Sequence, residues 1–207
     1  MYSIFLVMAS AFNPERQESN IDSKIVVALE RISEAFRVLL WDESRDTTLS
    51  PIQLQILIFI LFHQPEKCKV SYLANEFNMT KATISDSVKV LLQKQLIAKL
   101  PDSNDTRSHI ISLTDIGRGV AQKAALFAGK LEKPLHKLDI DQKEVMLSGL
   151  LRLIHELTVA GIITLQRMCF TCTNYKKQGE NHYCKLLETT LHQREIRIDC
   201  PEHVSGL

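Results

Sequence analysis

Residues 70–114, Val70-SYLANEFNMTKATISDSVKVLLQKQLIAKLPDSNDTRSHIISL-Thr114, decide the fold. Tyr72, Leu73 and Phe77 recur at helical spacing and predict a short helix. Asn78-Met79 marks a turn, and Thr80 is a good N-cap for a second helix. On that helix Ile84, Val88, Leu91 and Leu92 share one apolar face. Lys81, Thr83, Ser85 and Lys89 fall on or near the opposite one. Ile97-Ala-Lys-Leu100 and the alternating His109-Ile-Ile-Ser-Leu113 predict two strands joined by the polar turn 101–107. Two helices, a tight turn and then a β-hairpin are the plan of a winged helix, which offers its second helix to the DNA major groove.

In this order and spacing, the segment resembles the DNA-binding core of the MarR family of bacterial transcription regulators. The resemblance rests on Leu49-Ser-Pro-Ile-Gln-Leu-Gln-Ile-Leu57, Leu73-Ala-Asn-Glu-Phe77 and Thr80-Lys-Ala-Thr-Ile-Ser85. It continues in Asp105-Thr-Arg107 of the wing and Leu113-Thr-Asp-Ile-Gly117 after it, and it covers roughly residues 21–165. It implies a mainly α fold with a small β-hairpin wing, long dimerisation helices, and a homodimer on a pseudo-palindromic double-stranded DNA operator. It also implies a regulator, expected to be a repressor, with no enzymatic activity. Arg107 matches the family position that reaches the minor groove, with Asp105 bracing it. Many family members carry a second basic residue there, whereas here Ser108 and His109 follow, so the wing contact is expected to be weaker or pH-dependent.

Read directly from the residues, Thr80, Lys81, Thr83 and Ser85 sit where the side chains and open amides of a helix N-terminus meet bases and phosphates. Lys89, further along, suits a phosphate, and Asp86 is an acceptor for cytosine or a cap for a neighbour. The net charge of only +1, and seven Lys/Arg against five Asp/Glu over residues 66–113, rule out a broad basic field. Affinity for DNA must then come from placed cations.

Upstream, Ile25, Leu29, Ile32, Phe36, Leu39 and Leu40 predict an amphipathic helix over 21–41, capped by Asn20 or Asp22. Ser50-Pro51 reads as N-cap and first residue of a helix that is apolar nearly all round to Phe62, hence buried. Downstream, Thr114 caps a helix over 115–131 that Pro134 interrupts. Asp139 begins another, expected to run about 28 residues to Met168, longer than a small monomer covers. The domain plan is a flexible N-terminal arm (1–20), an N-terminal dimerisation helix (21–48), the winged helix (49–117), C-terminal dimerisation helices (118–168) and a cysteine-rich tail (169–207).

Met1–Met8 is apolar but too short for a membrane span, and it lacks the cationic start of a signal peptide. Met8 is an equally good starting residue. No membrane association is expected, and the location is cytoplasmic.

The tail holds four of the five cysteines, Cys169, Cys172, Cys184 and Cys200, in the last 39 residues. A C-x2-C pair with two more distant cysteines is a metal-site pattern, and a bound metal would staple a segment that has little core. Zinc is the first reading, with His182 or His203 as replacement ligands. An iron–sulfur cluster is the alternative, since Pro201 follows the last cysteine as in some clusters. Free thiols or a redox disulfide complete the choices, and the tail is either a structural clamp or a metal or redox sensor. Two other readings of the whole chain stay open: a winged-helix protein-interaction module without DNA binding, and a thiol oxidoreductase. The latter lacks the expected strand–helix–strand surroundings.

Overall fold

The computed structural model describes residues 10–102, 105, 108–179 and 181–206. Asn13 opens the first helix, α1 (Pro14–Ser19), its Oδ1 accepting from the Glu15 amide at 3.1 Å. Asn13-Pro14 therefore starts a helix inside the stretch expected to be a flexible arm. Of that arm, residues 1–9 lie outside the described residues. Asn20 caps α2 (Ile21–Thr47) by accepting from the Ser23 amide at 2.8 Å. The helix runs on through Asp42-Glu-Ser, past its expected end at Trp41. It stops where Thr48 turns left-handed at φ 56°.

The winged helix follows the plan read from the sequence: α3 (Pro51–Phe62), α4 (Val70–Glu76), α5 (Lys81–Gln93), β1 (Ile97–Pro101) and β2 (His109–Leu113). The strands pair antiparallel, Ile97 opposite Leu113 and Pro101 opposite His109. Leu54, Ile56 and Leu57 of α3 are fully buried with Leu73, Ile84, Leu91 and Ile111. A helix apolar nearly all round is stable only in such a position. The Cys68 carbonyl accepts from the Ile111 amide at 2.7 Å and so extends the wing beyond β2.

Next come α6 (Asp115–Ala124), a 3₁₀ turn (Ala125–Ala128) and α7 (Gly129–Leu135). Pro134 stands inside α7 near its end and does not separate it from what precedes; the break is the 3₁₀ turn. α8 spans Ile140–Val159, capped by Asp139 and Gln142 in reciprocal bonds of 2.8 and 3.1 Å. It is 20 residues long and stops short of Met168. Gly161 adopts φ +70°, its amide bonds Thr158 O at 3.0 Å, and Ile162 N bonds Leu157 O at 3.0 Å. That is a Schellman closure, which the apolar periodicity through Ile162-Ile163 conceals.

The C-terminal residues form a small knob: a 3₁₀ turn (Cys169–Thr171), then β3 (Tyr175–Gln178), β4 (Asn181–Cys184) and β5 (Thr189–Leu191) in one antiparallel meander. Its buried apolar residues are Met168, Cys169 and Ile196, packed on Leu151 of α8. Among the described residues no helix is long and apolar enough to cross a membrane.

Candidate nucleic-acid interface

The turn before α5 is made by backbone chemistry. Asn78 sits at φ 51°, its amide bonding Asn75 O at 3.1 Å while the Met79 amide bonds Ala74 O at 2.9 Å. This closes α4 with an asparagine in the left-handed position, where its short polar side chain is tolerated better than most. Thr80 then caps α5: its Oγ1 accepts from the Thr83 amide at 3.1 Å and lies 2.8 Å from Thr83 Oγ1. Ser87 Oγ donates back to Thr83 O at 3.0 Å, so this buried serine turns inward, away from any ligand.

Ile84, Val88 and Leu91 pin one face of α5 into the core, which leaves Thr80, Lys81, Thr83, Ser85, Asp86 and Lys89 exposed. Lys81, Ser85 and Lys89, four residues apart, lie along one stripe. Among the described residues neither lysine is in an ion pair. The arrangement offers two cations, hydroxyl groups and the positive end of a helix dipole to an anion-rich surface. In the wing Asp105 is exposed, and its carbonyl accepts from the Ser108 amide at 2.9 Å. Arg107 lies outside the described residues, so its expected minor-groove role has no geometry here.

Two supports escaped the sequence reading. Lys69 pairs with the buried Asp102, tying the start of α4 to the root of the wing. Gly117 on α6 lies so close to the α5–β1 turn that a Cβ there would stand 1.7 Å from Leu96 O. Thr114 holds the same junction, donating from Oγ1 to Gln95 O at 2.8 Å and accepting from the Gly117 amide at 3.0 Å. The Gly in Leu113-Thr-Asp-Ile-Gly117 was the available signal.

A third support ties the knob to the winged helix. Arg167 is only 10% exposed, and its fork meets Glu76 of α4: Nη1 to Oε2 at 2.5 Å and Nη2 to Oε1 at 3.2 Å. Nη1 also donates to Tyr72 Oη at 2.9 Å, and Nε to Asp199 Oδ1 at 2.7 Å. The guanidinium carbon lies 5.5 Å from the centre of the Phe59 ring, within cation–π range. Asp199 Oδ2 is 2.7 Å from His63 Nε2, and Lys67 Nζ reaches Pro201 O at 3.4 Å. Burial pulls the Arg167 pKa down, but its bonds to Asp199 and Glu76 outweigh that and hold it above the usual range. Burial pushes the Asp199 carboxyl up, yet Arg167 and His63 hold it below the usual range.

The knob brings the four tail cysteines to one small cavity, which Cys169, Cys172, Cys184 and Cys200 line with Tyr175, Leu186, Leu187, Leu191 and Arg197. All four are free thiols. Among the described residues no three His, Cys, Asp or Glu side chains are arranged to hold a metal ion as they stand. His182 is engaged elsewhere, its Nδ1 2.6 Å from Tyr175 Oη, and His203 Nε2 lies 3.0 Å from Thr171 Oγ1. Cys68 is buried apart from them, and burial pushes its thiol up to about 11.

Residues 47–108 match the model of the MarR family. The HTH-type transcriptional regulator YhbI of Bacillus subtilis (strain 168) is 27% identical over 105 residues, 49% of this chain and 68% of that protein. The S. aureus MepR–DNA complex superposes with a TM-score of 0.55 at 21% identity, over 63% of this chain and 96% of MepR. MepR in its DNA-binding conformation gives 0.58 at 22%, over 64% and 98%. At these identities the structural likeness establishes the fold. YhbI is by name an HTH-type transcriptional regulator, and MepR is seen in complex with DNA.

Proposed function

We propose that this chain, a winged-helix protein of MarR type by its residues 47–108, is a homodimeric repressor that occupies a pseudo-palindromic operator through α5 and the wing. The observation that carries the reading is the exposed N-terminal half of α5. Thr80 caps it, a buried face holds it rigid, and Lys81 and Lys89 face solvent without acidic partners among the described residues. In this reading Thr80, Thr83 and Ser85 contact base edges and phosphates at the helix start, and Lys81 and Lys89 take phosphates. Arg107 of the wing enters the neighbouring minor groove, with Asp105 bracing it.

What one chain leaves uncovered supports dimerisation. On α2, Ile21, Ile25, Ile32 and Phe36 are exposed along one stripe, and Val145, Met146, Leu153 and Val159 are exposed on α8. A two-fold pairing of these helices buries both stripes and sets two α5 helices about 34 Å apart, one turn of DNA.

The test is a mobility shift and salt titration on the DNA upstream of the chain's own coding sequence, beside a random-sequence selection. Lys89→Ala should weaken binding about equally on all sequences and lower the salt slope by about 1. Ile32→Glu should yield a monomer by light scattering and abolish tight binding. Failure of the unmodified chain to select any DNA sequence, with its winged helix folded, would overturn the reading in favour of a protein-interaction module.

A further inference from the structure

The knob has a small core. Beyond Leu151, which α8 lends it, its buried apolar residues among the described ones are Met168, Cys169 and Ile196, with Phe170, Tyr175 and Leu191 half-buried against them, and its strands are three or four residues long. Units of about 40 residues with so little core ordinarily need a metal, disulfides or a partner. Four cysteines converge in this one. Cys169 and Cys172 come from the 3₁₀ turn, and the Cys172 amide donates to Cys169 O at 3.0 Å. Cys184 ends β4 opposite Tyr175, which returns it to that turn. Cys200 arrives on the last loop, its amide bonded to Arg167 O at 2.8 Å. The cavity they line is small, about 30 Å³, and four cysteines from a turn, a strand end and a loop are the ligand set of a closed tetrahedral zinc site. The Arg197 amide lies 3.3 Å from Cys169 Sγ as a donor, and its guanidinium Nη1 lies 3.6 Å from Cys200 Sγ. Glu202 Oε2 lies 3.5 Å from Cys200 Sγ and pairs with Arg197 Nη1 at 3.0 Å.

We propose that Cys169, Cys172, Cys184 and Cys200 together bind a single divalent ion of the zinc type, and that this ion sets the grip of the knob on the winged helix. Binding turns the four side chains inward. Four Zn–S bonds form while four S–H protons pass to solvent, leaving a site of net charge −2 beside the Arg197–Glu202 pair. No electrons move. The grip follows from chain connectivity. Arg167 stands two residues before Cys169, and Asp199 directly precedes Cys200. The bonds Cys169 N to Arg197 O (3.0 Å) and Cys200 N to Arg167 O (2.8 Å) lock the two ligand turns to each other. An ion that fixes those turns fixes Arg167 and Asp199, and through them Glu76 and Tyr72 of α4, the helix that positions α5. The effect on an operator rests on the DNA-binding reading above; the ion and the grip do not.

The experiment is elemental analysis of the unmodified chain purified without chelator, followed by amide exchange before and after zinc removal. The expected result is a colourless protein with about one zinc per chain, as a four-thiolate site requires. Cobalt should replace the zinc with the absorption of tetrahedral thiolate coordination. Cys172→Ser and Cys184→Ser should each lose the metal, whereas Cys68→Ser should keep it. Arg197→Ala, which spares every ligand, should loosen zinc by about tenfold. Zinc removal should raise exchange in the knob and in α4 while α3 and α5 stay protected. A brown protein holding iron and sulfide, or a metal-free chain that takes up no added zinc, would overturn the ion. Zinc bound with α4 exchange unchanged on its removal would overturn the grip. Zinc and grip present in a chain that selects no DNA would leave this inference standing and refute the operator reading.

Discussion

Replacing Arg167 with alanine tests the attachment of the knob to the winged helix most directly. The change removes a two-bond pair with Glu76, single bonds to Tyr72 and Asp199, and the guanidinium over Phe59. Removing one partner of a buried ion pair costs roughly 3–5 kcal/mol, because the other charge is stranded. Here the Glu76 side chain is 19% exposed, so water partly restores its solvation and the lower end applies. Asp199 is 47% exposed and adds little, as exposed pairs do. Lost cation–π contact adds about 1 kcal/mol. The expected total is about 3–4 kcal/mol, felt between knob and winged helix rather than inside either. Amide exchange of α4 and the knob reads it locally, and urea unfolding should split into two transitions once the units uncouple. Glu76→Gln should cost less, and in the double variant the second change should add little, because both remove one interaction. If Arg167→Ala leaves α4 protection and the unfolding midpoint within about 1 kcal/mol of the original, the clamp is a surface pair and the reasoning fails.

Three further outcomes follow from the geometry. Gly117→Ala drives a methyl to 1.7 Å from a backbone oxygen, so α6 must move; urea unfolding should show a loss of roughly 3 kcal/mol, the upper end for overpacking, and a neutral result would place the α6–turn approach elsewhere. Asp199 titrates below the ordinary 3.8, so its contribution is complete above that pH and is lost as the pH falls through the depressed value. Docking of the knob should therefore loosen only in acid, and Asp199→Asn should flatten that acid limb when exchange is followed against pH; an Asp199-dependent loosening at neutral pH would contradict the assignment. Cys68, buried and raised to about 11, should resist alkylation at pH 8 in the native chain and react once the chain is unfolded, as mass spectrometry would show.

The winged helix was legible in the sequence because its signals act over a few residues. The Thr80, Ser50-Pro51 and Thr114 starts, the apolar stripes of α3 and α5, and the period-2 return strand are bonds and burial within one or two turns of chain. The exposed stripe of α5 was legible for the same reason, since Ile84, Val88 and Leu91 fix which side faces in. The end of α8 was hidden because apolar residues continue past Gly161, and only its left-handed turn shows that the helix has closed. Spacing suggested that the four tail cysteines belong together, but not the route by which they meet, since Cys169 and Cys200 line one cavity only after three strands have paired. Tertiary structure alone decided the partners of Arg167 and the need for glycine at 117. Glu76 lies 91 residues from Arg167, and Leu96 faces Gly117 across the α5–β1 turn. A pattern along one helix records which face is buried; it carries no record of which distant side chain or backbone oxygen will be waiting there.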